Sequence, residues 1–166
     1  MINKINKLSQ SEFIKVFANI FENSSWIAIE LHGQKPFNNF EDLSSKILGI
    51  FENITKEKQL KILNAHPNLA DKTKIGSLTL NSKKEQSDVG LDKCSEEELN
   101  EFRNLNNKYK KKFGFPFIYA VKDKSKIEIL SNFRQRLSYN INVEFIEAKK
   151  QVKKIASLRL NEIMKK

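Results

Sequence analysis

Three times in this chain a serine stands three positions before a glutamate at the head of an amphipathic run: Ser9–Glu12, Ser95–Glu98 and Ser125–Glu128. At this spacing the serine hydroxyl accepts the backbone N–H of the glutamate, and the glutamate carboxylate reaches back to the N–H of the serine. Orphan donors of a nascent helix are satisfied reciprocally, so each pair marks a helix start. The first opens a run carrying Phe13, Val16, Phe17 and Ile20; the second reaches Lys112; the third ends near Leu137. Periodicity predicts further helices over 24–32, 40–54 and 55–65, and a last long one capped by Asn142 and ending near Lys165. With 5 Gly and 3 Pro in 166 residues, little interrupts these runs. Residues 67–81 show no period and read as a loop. Phe115 to Val121 is aromatic and β-branched but isolated, so it reads as an extended buried segment and not as a sheet strand. The expectation is an all-α, single-domain bundle of about eight helices spanning residues 1–166.

The formal net charge of +10 favours anionic ligands. It does not by itself imply nucleic acid, because the lysines are scattered over helical faces. The densest group, Lys108, Lys110, Lys111 and Lys112, reads as a cationic helix end complementing the macrodipole. A basic helical module that binds nucleic acid is the alternative function. Against it, the phenylalanines fall at core spacing and are not interleaved with lysines. A single cysteine, Cys94, excludes an internal disulfide and a cysteine-rich zinc site. No apolar run approaches the ~18 residues of a membrane span, and the amino terminus carries no signal-peptide pattern. A soluble cytoplasmic protein is expected.

Two charged or titratable residues stand where periodicity calls for apolar core. In the last helix the stripe runs Phe145, Ala148, Val152, Ile155 and Ile163, and Arg159 occupies the position between the final two. Arginine cannot escape burial by deprotonating. It either snorkels past the rim, pairs with a buried carboxylate, or faces a pocket that holds an anion. His66 follows Ile62 and Leu63 on the inner face of the preceding helix, and Pro67 stops that helix. A histidine so placed is either a hydrogen-bonded core residue or a proton carrier near neutrality. His32 has no comparable setting and reads as surface. Ser82 and Glu85 repeat the capping-box spacing, which alone explains both, but Gln86 is left over.

Taken together, several islands resemble the 2-oxo-4-hydroxy-4-carboxy-5-ureidoimidazoline (OHCU) decarboxylases of urate breakdown. They are His66-Pro67-x-Leu69-Ala70, Ser82-x-x-Glu85-Gln86 followed by Gly90-Leu91, Asn106-x-x-Tyr109, Phe113-Gly114-Phe115-Pro116-Phe117-Ile118, Arg136-Leu137, Glu144 and Arg159-Leu160. Two positions depart from the pattern: Asn68 stands where the family usually has Asp, and Asp71 where it often has Gly. The resemblance implies an all-α homodimer that converts OHCU to (S)-allantoin and carbon dioxide with no cofactor or metal. It makes His66 the catalytic acid, Glu85 its partner and Arg159 a substrate-binding cation. Pro67, Ser82 and Gln86 line the implied site, and the backbone of Phe117, Ile118, Tyr119, Ala120 and Val121 contributes hydrogen bonds. A catalytically silent scaffold of the same fold is disfavoured because all three side chains, His66, Glu85 and Arg159, are present.

Overall fold

The capping boxes read at Ser9, Ser95 and Ser125 all form. In the computed structural model, which describes residues 1–165, the hydroxyls of Ser9, Ser95 and Ser125 accept from the N–H groups of Glu12, Glu98 and Glu128, and each carboxylate returns to its serine. Hydrogen bonds from Ser9 and Ser125 hold the Glu12 and Glu128 carboxyls below the usual carboxylate range. At Glu98 the Lys126 ammonium leads, followed by the Ser95 N–H.

Among the described residues the chain forms nine α-helices: α1 (Ile2–Lys7), α2 (Gln10–Phe17), α3 (Trp26–His32), α4 (Phe40–Asn53), α5 (Lys56–Ala65), α6 (Leu80–Asp88), α7 (Glu96–Phe113), α8 (Lys126–Leu137) and α9 (Ile141–Met164). Short 3-10 turns cover Lys72–Ser77 and Leu91–Lys93. None of these helices is long and apolar enough to cross a membrane. The fold class is as expected, with one helix more than the sequence suggested. Sequence periodicity missed α1, whose six residues bury only Ile5. The stretch 67–81 is not all loop, since it carries a 3-10 turn and the first residues of α6.

The helix ends are corrected at two places. Asn140, not Asn142, caps α9, its Oδ1 accepting from the Val143 N–H at 3.0 Å. Thr79, not Ser82, caps α6, its hydroxyl accepting from the Ser82 N–H. Gly114 ends α7 in the left-handed region at φ 81°, its N–H reaching the Lys110 carbonyl. A Cβ at this position meets nothing within 4 Å. Gly114→Ala therefore isolates backbone strain, and chemical denaturation should register a loss of about 1–2 kcal/mol.

By its own contacts the chain divides into two compact units, Met1–Ala65 with Lys153–Lys166, and His66–Val152. The core of the first is aromatic: Phe13 lies against Phe17 (ring centroids 4.4 Å apart) and Phe21 stacks on Phe51 at 5.1 Å, with Leu31, Leu43 and Ile47 fully buried. Val16, expected on the inner face of α2, is 40% exposed. His32 is not a surface residue. It is half-buried edge-on to Phe13, with Nε2 enclosed and without a hydrogen-bond partner among the described residues.

The core of the second unit is built around Tyr109, whose ring meets those of Phe113, Phe115, Phe117 and Phe133. Phe117 and Phe133 stack at 3.8 Å, nearly parallel. Cys94 is buried, its thiol turned to the Leu91 carbonyl at 3.4 Å. Burial, and then the nearby Glu98, push that thiol up and suppress the reactive thiolate.

Candidate functional site

Because Thr79 caps α6, Ser82 lies inside the helix and its hydroxyl is not the N-terminal cap. Ser82 and Gln86 are both buried, at 2% and 9% exposure, and Glu85 between them is half-buried. At spacings of three and four these side chains share one face of α6. A polar face turned inward is the reverse of ordinary helix patterning, and capping does not account for it.

Gln86 shows what that face holds. Its Oε1 accepts from the Ala70 N–H at 3.0 Å, and its Nε2 donates to the Asn68 carbonyl at 3.2 Å. One side-chain amide thus straps both edges of the irregular segment that follows His66 and Pro67. Asn106, on α7, adds a third strap by donating Nδ2 to the Leu69 carbonyl at 3.0 Å. The strapped segment is strained, since Ala70 adopts φ 54°, a left-handed conformation unusual for alanine. The two departures from the family pattern fall here. Asn68 contributes its carbonyl, and Asp71 Oδ1 accepts from both the N–H and the hydroxyl of Thr73. An Asx turn of that kind opens the 3-10 segment and gives aspartate a reason to be there. His66 and Pro67 are half-buried.

The segment from Phe115 to Val121 is irregular and buried throughout, except for half-buried Tyr119. Buried backbone must find partners. The Ile118 carbonyl accepts from Arg136 Nη1 at 2.6 Å, the Ala120 N–H donates to Gln151 Oε1 at 3.0 Å, and the Val121 carbonyl accepts from the Lys124 N–H. The Ala120 N–H is therefore committed, and any contact this residue makes with a ligand falls to its other atoms.

Arg136 is itself buried at 1% exposure, its guanidinium 4.4 Å from the centre of the Phe117 ring. Its Nε and Nη2 donate to Glu144 Oε1, which also accepts the Tyr109 hydroxyl. Burial, and then the Glu144 carboxylate it serves, push the Tyr109 phenol well above its ordinary pKa, so it remains a donor. Glu144, fully buried, heads the inner stripe of α9 in place of half-buried Phe145.

Arg159 belongs to the other unit. It is 5% exposed and its Nη1 meets buried Glu22 at 3.1 Å and the Asn19 carbonyl at 2.9 Å. Of the settings open to it from the sequence, pairing with a buried carboxylate is realised. Glu22 carried no signal of its own in the sequence. Glu144, Arg136 and Asn106 did carry one, as polar residues at core spacing. Among the described residues no group of three or more His, Cys, Asp or Glu side chains is placed to hold a metal ion.

A family model described as OHCU decarboxylase matches residues 6–161. The 2-oxo-4-hydroxy-4-carboxy-5-ureidoimidazoline decarboxylase of Haloferax volcanii is 35% identical over 97% of this chain and 94% of its own length. The uric acid degradation bifunctional protein of Bacillus sp. (strain TB-90) is 40% identical over 99% of this chain, which spans only 32% of that protein. A crystal structure of an (S)-allantoin synthase superposes with a TM-score of 0.78 at 27% identity, covering 98% of this chain and 53% of that one. By the extent of the family match and the near-complete coverage of the Haloferax relative, the chain belongs to the OHCU decarboxylase family.

Proposed function

We propose that this protein decarboxylates OHCU to (S)-allantoin and carbon dioxide in urate breakdown, without a cofactor, as a cytoplasmic homodimer. The observation that carries the reading is the strap made by Gln86. It ties the segment after His66-Pro67 to the inward polar face of α6, and His66, Pro67, Ser82 and Gln86 share one compact unit with Glu85 and residues 117–121. That arrangement suits a small polar substrate better than it suits a purely structural core.

The chemistry asks little of the protein. OHCU carries a carboxylate on a carbon next to a ring C=N bond. When the carbon–carbon bond breaks, its electron pair passes into the neighbouring imine, so the substrate is its own electron sink. The protein supplies position, a proton and a choice of face. In this reading His66 donates the proton as negative charge develops, with Glu85 as its partner. Arg159 orients the substrate anion while Glu22 fixes the guanidinium. Pro67, Ser82 and Gln86 border the substrate, and backbone groups of residues 117–121 hold its amides.

The burial pattern weighs against the nucleic-acid reading. Ten of the twelve phenylalanines are buried, which leaves few rings for base stacking. The deciding experiment generates OHCU in situ from urate with the two preceding enzymes and follows the optical activity of allantoin. Addition of this protein should speed product formation and yield the (S) enantiomer. Decay at the spontaneous rate to racemic product would reject the assignment.

A further inference from the structure

Besides Tyr109, whose hydroxyl Glu144 accepts, the buried face of α7 carries one polar residue that the proposed reaction does not use. Its inner positions run Leu99, Phe102, Asn106, Tyr109 and Phe113, and Asn106 takes the place where a leucine would pack. Asn106 is 8% exposed; Nδ2 donates to the Leu69 carbonyl, while Oδ1 is buried with no hydrogen-bond partner among the described residues. An amide satisfied at one end only is a poor choice for stability, because the enclosed oxygen forfeits its water and gains nothing. Such a group calls for another explanation.

The explanation lies in what the bonded end holds. Three consecutive residues, Asn68, Leu69 and Ala70, have a backbone group fixed by a side-chain amide, and the amides come from two different helices. Gln86 holds the outer two and Asn106 the middle one. Between this clamp and His66 stands Pro67, whose ring locks φ and leaves few soft torsions to absorb a change. The left-handed Ala70 is a conformation the segment would leave if released. A shift of the clamped peptides would therefore carry the His66 backbone with it.

We infer that Asn106 is a positioning residue that sets the direction of His66 by holding the Leu69 carbonyl. The inference rests on the proposed role of His66 as proton donor, and its test has an arm independent of that role. The chain has 2 histidines, so each imidazole gives its own resolved NMR signal, and a His66→Ala spectrum assigns them.

Asn106→Leu keeps the branched shape and removes both the donor and the orphaned oxygen. The His66 signal should move while that of His32 stays in place, with the melting temperature within about 4 °C of the parent. On OHCU, kcat should fall about 10–100-fold, as for a displaced catalytic group, with KM changing much less because the proposed contacts from α6 and residues 117–121 lie outside the displaced segment. Asn106→Ala, smaller than the native side chain, gives the same readings should leucine overpack. An unmoved His66 signal with unchanged kcat overturns the inference, as does a loss of activity that merely tracks a collapse in melting temperature. If the parent protein itself does not accelerate OHCU decay, the proposed reaction fails, and the histidine spectra still decide whether Asn106 positions His66.

Discussion

His66→Ala is expected to lower kcat on OHCU by about 10²–10⁴-fold, the usual worth of a positioned general acid. The helical circular dichroism should not change. His66 follows the last residue of α5 and is half-buried, so its removal leaves the packed faces of both units intact. Loss of the imidazole takes away the proposed proton source but neither the polar face of α6 nor the segment 117–121. Substrate should still bind, and KM should change much less than kcat. Activity at the parent level in this variant would return His66 to the role of a hydrogen-bonded core residue and leave the proton to another donor.

Glu144→Ala should produce the largest loss of stability, about 3–5 kcal/mol, the usual effect of stranding one member of a buried ion pair. For a chain of this size each kcal/mol moves the melting temperature by roughly 2–4 °C, so a fall of about 6–20 °C is expected. The side chains of Arg136 and Glu144 are 2% and 0% exposed, which denies the abandoned guanidinium access to water. Tyr109 loses its acceptor in the same stroke. Arginine cannot shed its proton to relieve the burial. The effect is distinguished from simple cavity formation by the double variant Arg136→Met with Glu144→Leu, which removes both charges and should recover much of the lost stability. Urea unfolding of the three proteins measures it directly. A single variant that unfolds like the parent would mean that the pair contributes nothing.

Local chemistry made the architecture readable. Caps built from Ser9, Ser95 and Ser125 lie within four residues of sequence, so their geometry follows from spacing alone. The same rule misled at Ser82, because Thr79 competes for the same helix start and stands one turn earlier. Arg159 was found because it interrupts an apolar stripe, and the same test applied to α7, α8 and α9 points to Asn106, Arg136 and Glu144. What the sequence could not supply was pairing. Arg159 and Glu22 are brought together across most of the chain. The strap from Gln86 to Ala70 also depends on how a loop folds back, which no local period records.

The division of the chain has a consequence for how it is made. Residues 66–152 leave the ribosome as an uninterrupted stretch and can begin to pack as soon as they emerge. The other unit is stitched from residues 1–65 and a segment that starts at Lys153, so it stays unfinished until all of residues 66–152 have been made. Throughout that interval Glu22 has been synthesised while the guanidinium that will neutralise it has not, so the unit begun first is completed second.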